Sequence, residues 1–314
     1  MLPRSIFKKG LFLAPMALYS DYGLRRLCFE YGADYTFTEM ISAHTIVRKD
    51  LEKIRELDIL DDEVPTGIQI LTFSPEMLKG AIEKIQHSKI SERISSVCLN
   101  LGCPNVRNNG AFLLNNLELI RKLFIAMETS KLPTSAKIRL AIDEKHLLEK
   151  PYLKIAELAE KHLDFLIVHG RTLSQRFSGR VNLDAIREIK ESVSIPVVGN
   201  GDIKSGIEAG HMFKETGCDA VMIGRAAIRK PFIFKEIKHY LRTGSEIKID
   251  EKQELLKCAV NYLNMQKQAN FSAFQTRVHL QALLRRFKQL NRQISLERTV
   301  EGMRTAVLKE YNKL

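Results

Sequence analysis

Eight short apolar or β-branched runs, each separated from the next by a stretch with helical character, constrain this chain more than any other feature. They are Leu11–Ala14, Tyr35–Thr38, Gly67–Leu71, Val97–Leu101, Ser135–Arg139, Phe165–His169, Pro196–Gly199 and Ala220–Gly224. The stretches between them carry helix signals. Ser74 followed by Pro75 makes an N-cap with proline at the first helical position, ahead of a helix through Lys84. Asn116–Thr129 places Leu117, Ile120, Leu123, Phe124 and Met127 at helical spacing. Strand–helix alternation repeated eight times argues for a closed parallel barrel rather than an open sheet. Such a barrel takes about 250 residues, and the chain has 314, which leaves room for a second, smaller module. The expected fold is therefore α/β, a parallel (β/α)8 TIM barrel over residues 1–241 with a carboxy-terminal all-helical domain over residues 242–314.

The carboxy-terminal part differs in character from the rest. A helix is expected to end near Leu241, Thr243-Gly244-Ser245 reads as a linker, and Ile249–Leu314 shows a helical pattern without a strand. Leu255–Leu296 contains no Asp or Glu but holds Lys257, Lys267, Arg277, Arg285, Arg286, Lys288 and Arg292, interleaved with Tyr262, Phe271, Phe274 and Phe287. The aromatics read mostly as helix-bundle core. The run of one sign of charge suits a phosphate backbone, as does the formal net charge of +12 for the whole chain. No stretch is long enough to span a membrane, and Met1–Gly10 lacks a secretory apolar run, so a cytoplasmic protein is expected. The five cysteines are scattered, with no Cys-x-x-Cys pair or Cys/His cluster, so no metal is expected and a reduced compartment fits.

The polar residues of interest fall at the carboxyl ends of the expected strands, where barrels do their chemistry. Ala14-Pro15-Met16-Ala17 follows the first and Glu39-Met40 the second, while Gln69 lies inside the third. Asn100 and Cys103 end the fourth, Lys137 and Arg139 the fifth, and His169-Gly170-Arg171-Thr172 the sixth. Gly199-Asn200-Gly201-Asp202 ends the seventh and Gly224-Arg225 the eighth. Cys103 sits in a turn, where a thiol can serve as nucleophile or proton donor; a small buried hydrophobe is the plainer reading. Gly201 and Gly224 leave backbone N–H groups open with helices expected just after them, the phosphate-binding arrangement of barrels. Lys137 and His169 at inward positions could stabilise negative charge on a ring system, since an unpaired buried charge is costly. There is no glycine-rich dinucleotide fingerprint after the first strand, which favours a mononucleotide.

As a set, these motifs resemble the tRNA-dihydrouridine synthases, flavin enzymes with a barrel and a helical carboxy-terminal domain. The resemblance runs in order from about Leu11 to Leu241. It rests on Ala14-Pro15-Met16, Glu39-Met40, Gln69, Asn100-x-Gly102-Cys103-Pro104, Lys137-Ile-Arg139, His169-Gly-Arg-Thr172, Asn200-Gly-Asp-Ile203, Gly224-Arg225 and Pro231-Phe-Ile-Phe234. It implies that Pro15, Met16 and Ala17 line FMN, and that Gln69, Lys137 and His169 hydrogen-bond the isoalloxazine edge. It further implies that Asn200, Gly201, Asp202, Gly224 and Arg225 hold ribityl and phosphate, that Asn100 and Arg139 position the uracil, and that Cys103 is the general acid. The implied reaction puts a hydride on carbon 6 and a proton on carbon 5 of a uridine drawn out of the RNA stack. NADPH or NADH would be the electron source, tRNA the partner, and a monomer would suffice.

This chain departs from the family in having only Asn105–Asn109 between Pro104 and Gly110, a shortened segment in which Arg107 could keep a basic role. Two other readings compete. One is an FMN barrel acting on a small molecule, of dihydroorotate dehydrogenase or ene-reductase type. The other is a catalytically silent tRNA-binding protein of the same fold. Glu39 could face the cofactor or cap a turn. Arg171, Arg176 and Arg180 could touch RNA or lie in a solvated loop. Cys28, Cys98, Cys218 and Cys258 read as structural, and His44, His162, His211 and His279 as surface or core residues rather than ligands.

Overall fold

The computed structural model describes residues 2–61, 64–104, 109–269 and 272–313, with the side chains of residues 266–269 left aside. Eight parallel strands form the barrel: β1 (Gly10–Leu13), β2 (Thr36–Ser42), β3 (Thr66–Leu71), β4 (Ser96–Leu101), β5 (Thr134–Arg139), β6 (Phe165–His169), β7 (Val197–Asn200) and β8 (Ala220–Ile223). From β2 to β8 each strand pairs with the next in sequence, and β8 pairs with β1. The last seam closes through a parallel bridge between Phe12 and Tyr35. There the Leu13 N–H donates to the Tyr35 carbonyl at 2.8 Å and the Asp34 N–H to the Leu11 carbonyl at 2.8 Å.

The two-residue side-chain period of a strand sorts each sequence onto two faces. Outward residues such as Ile68, Ile70, Val97, Leu99, Ala136, Ile138 and Val168 join the core shared with the surrounding helices. Inward residues Phe12, Tyr35, Phe37, Cys98, Phe165, Ile167, Val198 and Met222 form a separate cluster inside the barrel. Burial on both faces explains why the strands read as nearly unbroken apolar runs. At the amino end Phe7, from the 3-10 turn Arg4–Phe7, packs on Phe12 and Phe165 with ring centroids 5.9 and 5.3 Å away. Tyr35 packs tilted against Phe12 and edge-to-face against Phe37, and donates its hydroxyl to Ser96 Oγ at 2.7 Å. This aromatic filling closes the amino end, so access to the interior is left to the carboxyl end.

Two expectations about the elements need correction. β2 runs to Ser42, so Glu39 and Met40 lie within the strand rather than after it, beyond a register shift between Phe37 and Met40. The helix after Gly201 starts only at Gly206, capped by Ser205, because Asp202 adopts a left-handed φ of 50° that interrupts any immediate helical turn. The helices expected after Ser74 and Asn116 are present as Pro75–Gln86 and Leu117–Met127, each capped by that side chain.

Beyond Gly244 the described residues form the helices Glu251–Ala269, Ala273–Leu283, Lys288–Leu296 and Val300–Tyr311. Their apolar faces share a core that also takes in Leu27 and Phe232 from the barrel part. Tyr262 is fully inside this core and Phe287 packs against it, but Phe274 is 58% exposed, because it lies in the first turn of its helix on the side away from the bundle. Phe271 lies outside the described residues. Polar contacts reinforce the junction: Tyr262 Oη donates to Asp21 Oδ2 at 2.8 Å, and His279 Nε2 stands 3.0 Å from the same oxygen. No helix among the described residues is long and apolar enough to cross a membrane.

Candidate active site

The inward polar residues form a continuous belt around the carboxyl end of the barrel. Strand register places Asn100 opposite Lys137, Arg139 opposite His169, and His169 opposite Asn200. Asn100 Nδ2 donates to Gln69 Oε1 at 2.8 Å, linking β4 to β3, and Asn200 Nδ2 donates to the Met222 carbonyl at 2.7 Å, linking β7 to β8. Gln69 and Asn100 are buried, as are Arg139, His169 and Asn200, while Lys137 is half-buried.

Cys103 stands in a turn held from several sides. Asn100 Oδ1 accepts the N–H groups of Gly102 and Cys103, each at 2.9 Å, the local turn that asparagine side chains favour. Arg139 Nε donates to the Gly102 carbonyl at 2.9 Å, and the Ala111 N–H donates to the Cys103 carbonyl at 3.1 Å. Gly110 has φ +58°, and a Cβ there would lie 2.7 Å from the Cys103 carbonyl oxygen and 3.0 Å from its Cβ. The thiol residue is half-buried at the mouth. Arg107 lies outside the described residues.

The belt carries more positive charge than its own acids balance. Burial, with Arg139 adding repulsion, pushes the Lys137 ammonium down to about 8, and Lys137 makes no ion pair among the described residues. Burial and then the neighbouring Arg171 bring Arg139 down to about 10. His169 is held far below its ordinary value, first by burial and then by Lys137, Arg139, Arg171 and Arg225, so its ring is neutral at physiological pH. Asp202 ion-pairs with Arg171 and, at 3.2 Å, with Arg225, and the Arg171 hydrogen bond holds its carboxyl below the usual range. A half-buried ammonium without an acceptor, next to a neutral imidazole and an exposed Arg225, suits an anionic group with a polar ring edge. Those are the features of a flavin mononucleotide, so the donor set fits that cofactor.

The remaining expected residues surround the same mouth. After β1 the chain turns tightly: Met16 N donates to Ser20 Oγ at 2.8 Å, and the Met16 carbonyl accepts the Tyr19 and Ser20 N–H groups at 3.0 and 2.9 Å. This turn carries Pro15, Met16 and Ala17. A Cβ on Gly224 would lie 3.6 Å from Ala14 Cβ and 3.8 Å from Met16 Sδ, so the ends of β8 and β1 face each other closely. Gly201 has φ +142° and a Cβ there would come within 2.6 Å of Val181 Cγ2. Glu39 is committed elsewhere: its carboxylate accepts the Leu18 N–H at 2.7 Å and pairs with Arg55 at 3.0 Å, tying the loop after β1 to the turn Arg55–Leu57. Arg180 is exposed, whereas Arg171 is buried and donates to the carbonyls of Ser178 and Gly179 as well as to Asp202.

A family model described as dihydrouridine synthase matches residues 12–312. The chain belongs to the dihydrouridine synthase family. It is 35% identical over 272 residues to a probable tRNA-dihydrouridine synthase of Aquifex aeolicus, covering 83% of this chain and 84% of that protein. It is 35% identical to tRNA-dihydrouridine synthase B of Shewanella oneidensis, covering 76% of this chain and 74% of that one. Among solved structures, histamine dehydrogenase from Rhizobium sp. 4-9 superposes with a TM-score of 0.57 at 15% identity, covering 81% of this chain and 48% of that one, a likeness of fold. As a dihydrouridine synthase the protein is an oxidoreductase. In this synthase the sequence-expected site residues that the structure describes gather at the carboxyl end of the barrel. Sequence reasoning passed over Gly110, the ion pair of Arg171 with Asp202, and Phe177, whose ring lies under Arg225 at 4.8 Å. A glycine seven residues after the cysteine was the one available signal for the first, and the other two depend on the path of the β6 loop.

Proposed function

We infer that this dihydrouridine synthase reduces a uridine of tRNA to 5,6-dihydrouridine with FMN, using NADPH or NADH as reductant, and that Cys103 supplies the proton. The observation that carries this reading is the pairing of Asn100 with Lys137 across β4 and β5. It sets a cation that lacks a carboxylate beside the side chain that fixes the Cys103 turn. Bound at the mouth, the flavin supplies the hydride for carbon 6 of the uracil. Lys137 would meet the negative edge of the ring, neutral His169 and Gln69 would offer hydrogen bonds to the same edge, and Pro15, Met16 and Ala17 would line it. Arg225 and the N–H groups at Gly201 and Gly224 would hold the phosphate. Asn200 and Asp202 suit ribityl hydroxyls, since a carboxylate accepts a hydroxyl proton but repels phosphate. Asn100 and Arg139 border the uracil, and Cys103 Sγ holds the proton destined for carbon 5.

Residues 1–241 then act as the catalytic unit and residues 242–314 as the tRNA-binding unit of a cytoplasmic monomer. The exposed Arg285, Lys288 and Arg292 support the second role. Nucleoside analysis of tRNA from cells lacking the protein, complemented with wild type or Cys103→Ala, tests the reading. Dihydrouridine should be missing at one position and return only with wild type. Full restoration by Cys103→Ala would reject the thiol as acid. Unchanged dihydrouridine in a strain with no second synthase would reject the activity.

A further inference from the structure

Arg139 stands at the end of β5, between the turn that carries Cys103 and the loop that follows β6. It is 2% exposed. Its Nε donates to the Gly102 carbonyl at 2.9 Å, on the Cys103 side. Its Nη1 donates to the carbonyls of Thr172 and Arg176, both at 2.8 Å, on the β6 side. Arg176 has φ +48°, a left-handed conformation that a non-glycine residue keeps only where its surroundings hold it. The next residue, Phe177, lies 5.6 Å from the Arg139 guanidinium carbon and 4.8 Å from that of Arg225. No carboxylate pairs with Arg139 among the described residues, so the backbone carbonyls are its partners. A planar guanidinium can bind in two directions at once, whereas a lysine ammonium is a point charge that cannot hold the same fork.

We propose that Arg139 is a positioning residue, a latch that holds the Cys103 turn and the β6 loop in one fixed relation and thereby sets where the thiol stands. It follows that the two segments open together, and that disturbing the β6 loop displaces the thiol. This rests on the reading of Cys103 as the proton donor, but the first readout below needs neither substrate nor turnover. In the holoenzyme, hydrogen exchange is followed at the amides of Gly102 and Cys103 and at those of Leu173, Gln175 and Arg176, all hydrogen-bonded in the native state. Arg139→Lys should raise exchange at both segments by about tenfold or more. It should also lower the maximal rate at saturating tRNA by about 10- to 100-fold, because alignment of the thiol is lost. The rate of flavin reduction by NADPH should stay as in wild type.

Faster exchange at one segment alone would overturn the latch. So would a raised KM with the maximal rate kept, which would leave Arg139 acting on the uracil alone. Should the variant fail to fold, wild type decides by itself: under conditions where exchange reports opening, both segments must open with one rate constant, and two distinct rates would refute the proposal. If Cys103→Ala restores dihydrouridine while the exchange result stands, the fault lies in the assignment of the acid and not in the latch.

Discussion

At the scale of single residues, the site is defined by side chains that are costly to bury. Lys137 is the clearest case. Its folded-state value of about 8 lies below the ordinary 10.5, because burial and Arg139 disfavour the charged form. The unfolded chain therefore binds more protons between those two values, and stability rises with pH across that window. Below pH 8 the full penalty applies. In flavin-free protein, Lys137→Met should thus be more stable than wild type at pH 7, with the advantage shrinking as pH rises from about 8 to 10.5. Urea midpoints measured at intervals across this range check it, and a gap that does not narrow counts against the burial argument. Its residue type and strand position were visible in the sequence. The absence of a partner was not, because that depends on which groups the neighbouring strands bring near.

At the scale of elements, the turn after β4 shows how much a loop can depend on a residue with no side chain. Asn100 closes the turn from one side and Gly110 packs against it from the other. Gly110→Ala would meet both a left-handed φ and a contact of 2.7 Å with backbone oxygen, which a rotamer change cannot relieve. The expected cost is about 1–3 kcal/mol, together with a loss of the Cys103-dependent proton step while flavin content stays near wild type. Thermal melting and single-turnover oxidation of the reduced enzyme by tRNA measure the two effects. Retention of full turnover would show that the turn tolerates displacement. The strand patterns themselves were readable, since apolar or β-branched runs of four or five residues can be seen directly. The continuation of β2 through Glu39 was not, because its register shift lets a charged residue stay in the ladder and pair with Arg55.

At the scale of the whole molecule, the net charge of +12 and the acid-free run Leu255–Leu296 give the helical part its character. Arg286 is drawn into a pair with Glu251, while Arg285, Lys288 and Arg292 are exposed and without such a partner among the described residues. If these three meet phosphates, replacing all three by alanine should lower the slope of log affinity against log salt for tRNA by about 2–3. Binding measured from low to moderate salt tests this. A parallel shift with unchanged slope would place the contacts elsewhere.

Local pattern was enough to read the barrel, the helical tail and the residue types of most polar groups at the mouth. Those features follow from local periodicity and from residue types that have few other uses at a strand end. The relations among them came with the folded chain: Arg139 joining two loops, Arg171 and Arg225 sharing Asp202, Asp21 receiving Tyr262 and His279. Each of these contacts unites residues from separate strands, loops or helices, often far apart along the chain. Their formation depends on barrel closure, strand register and the docking of helices, which no local pattern encodes.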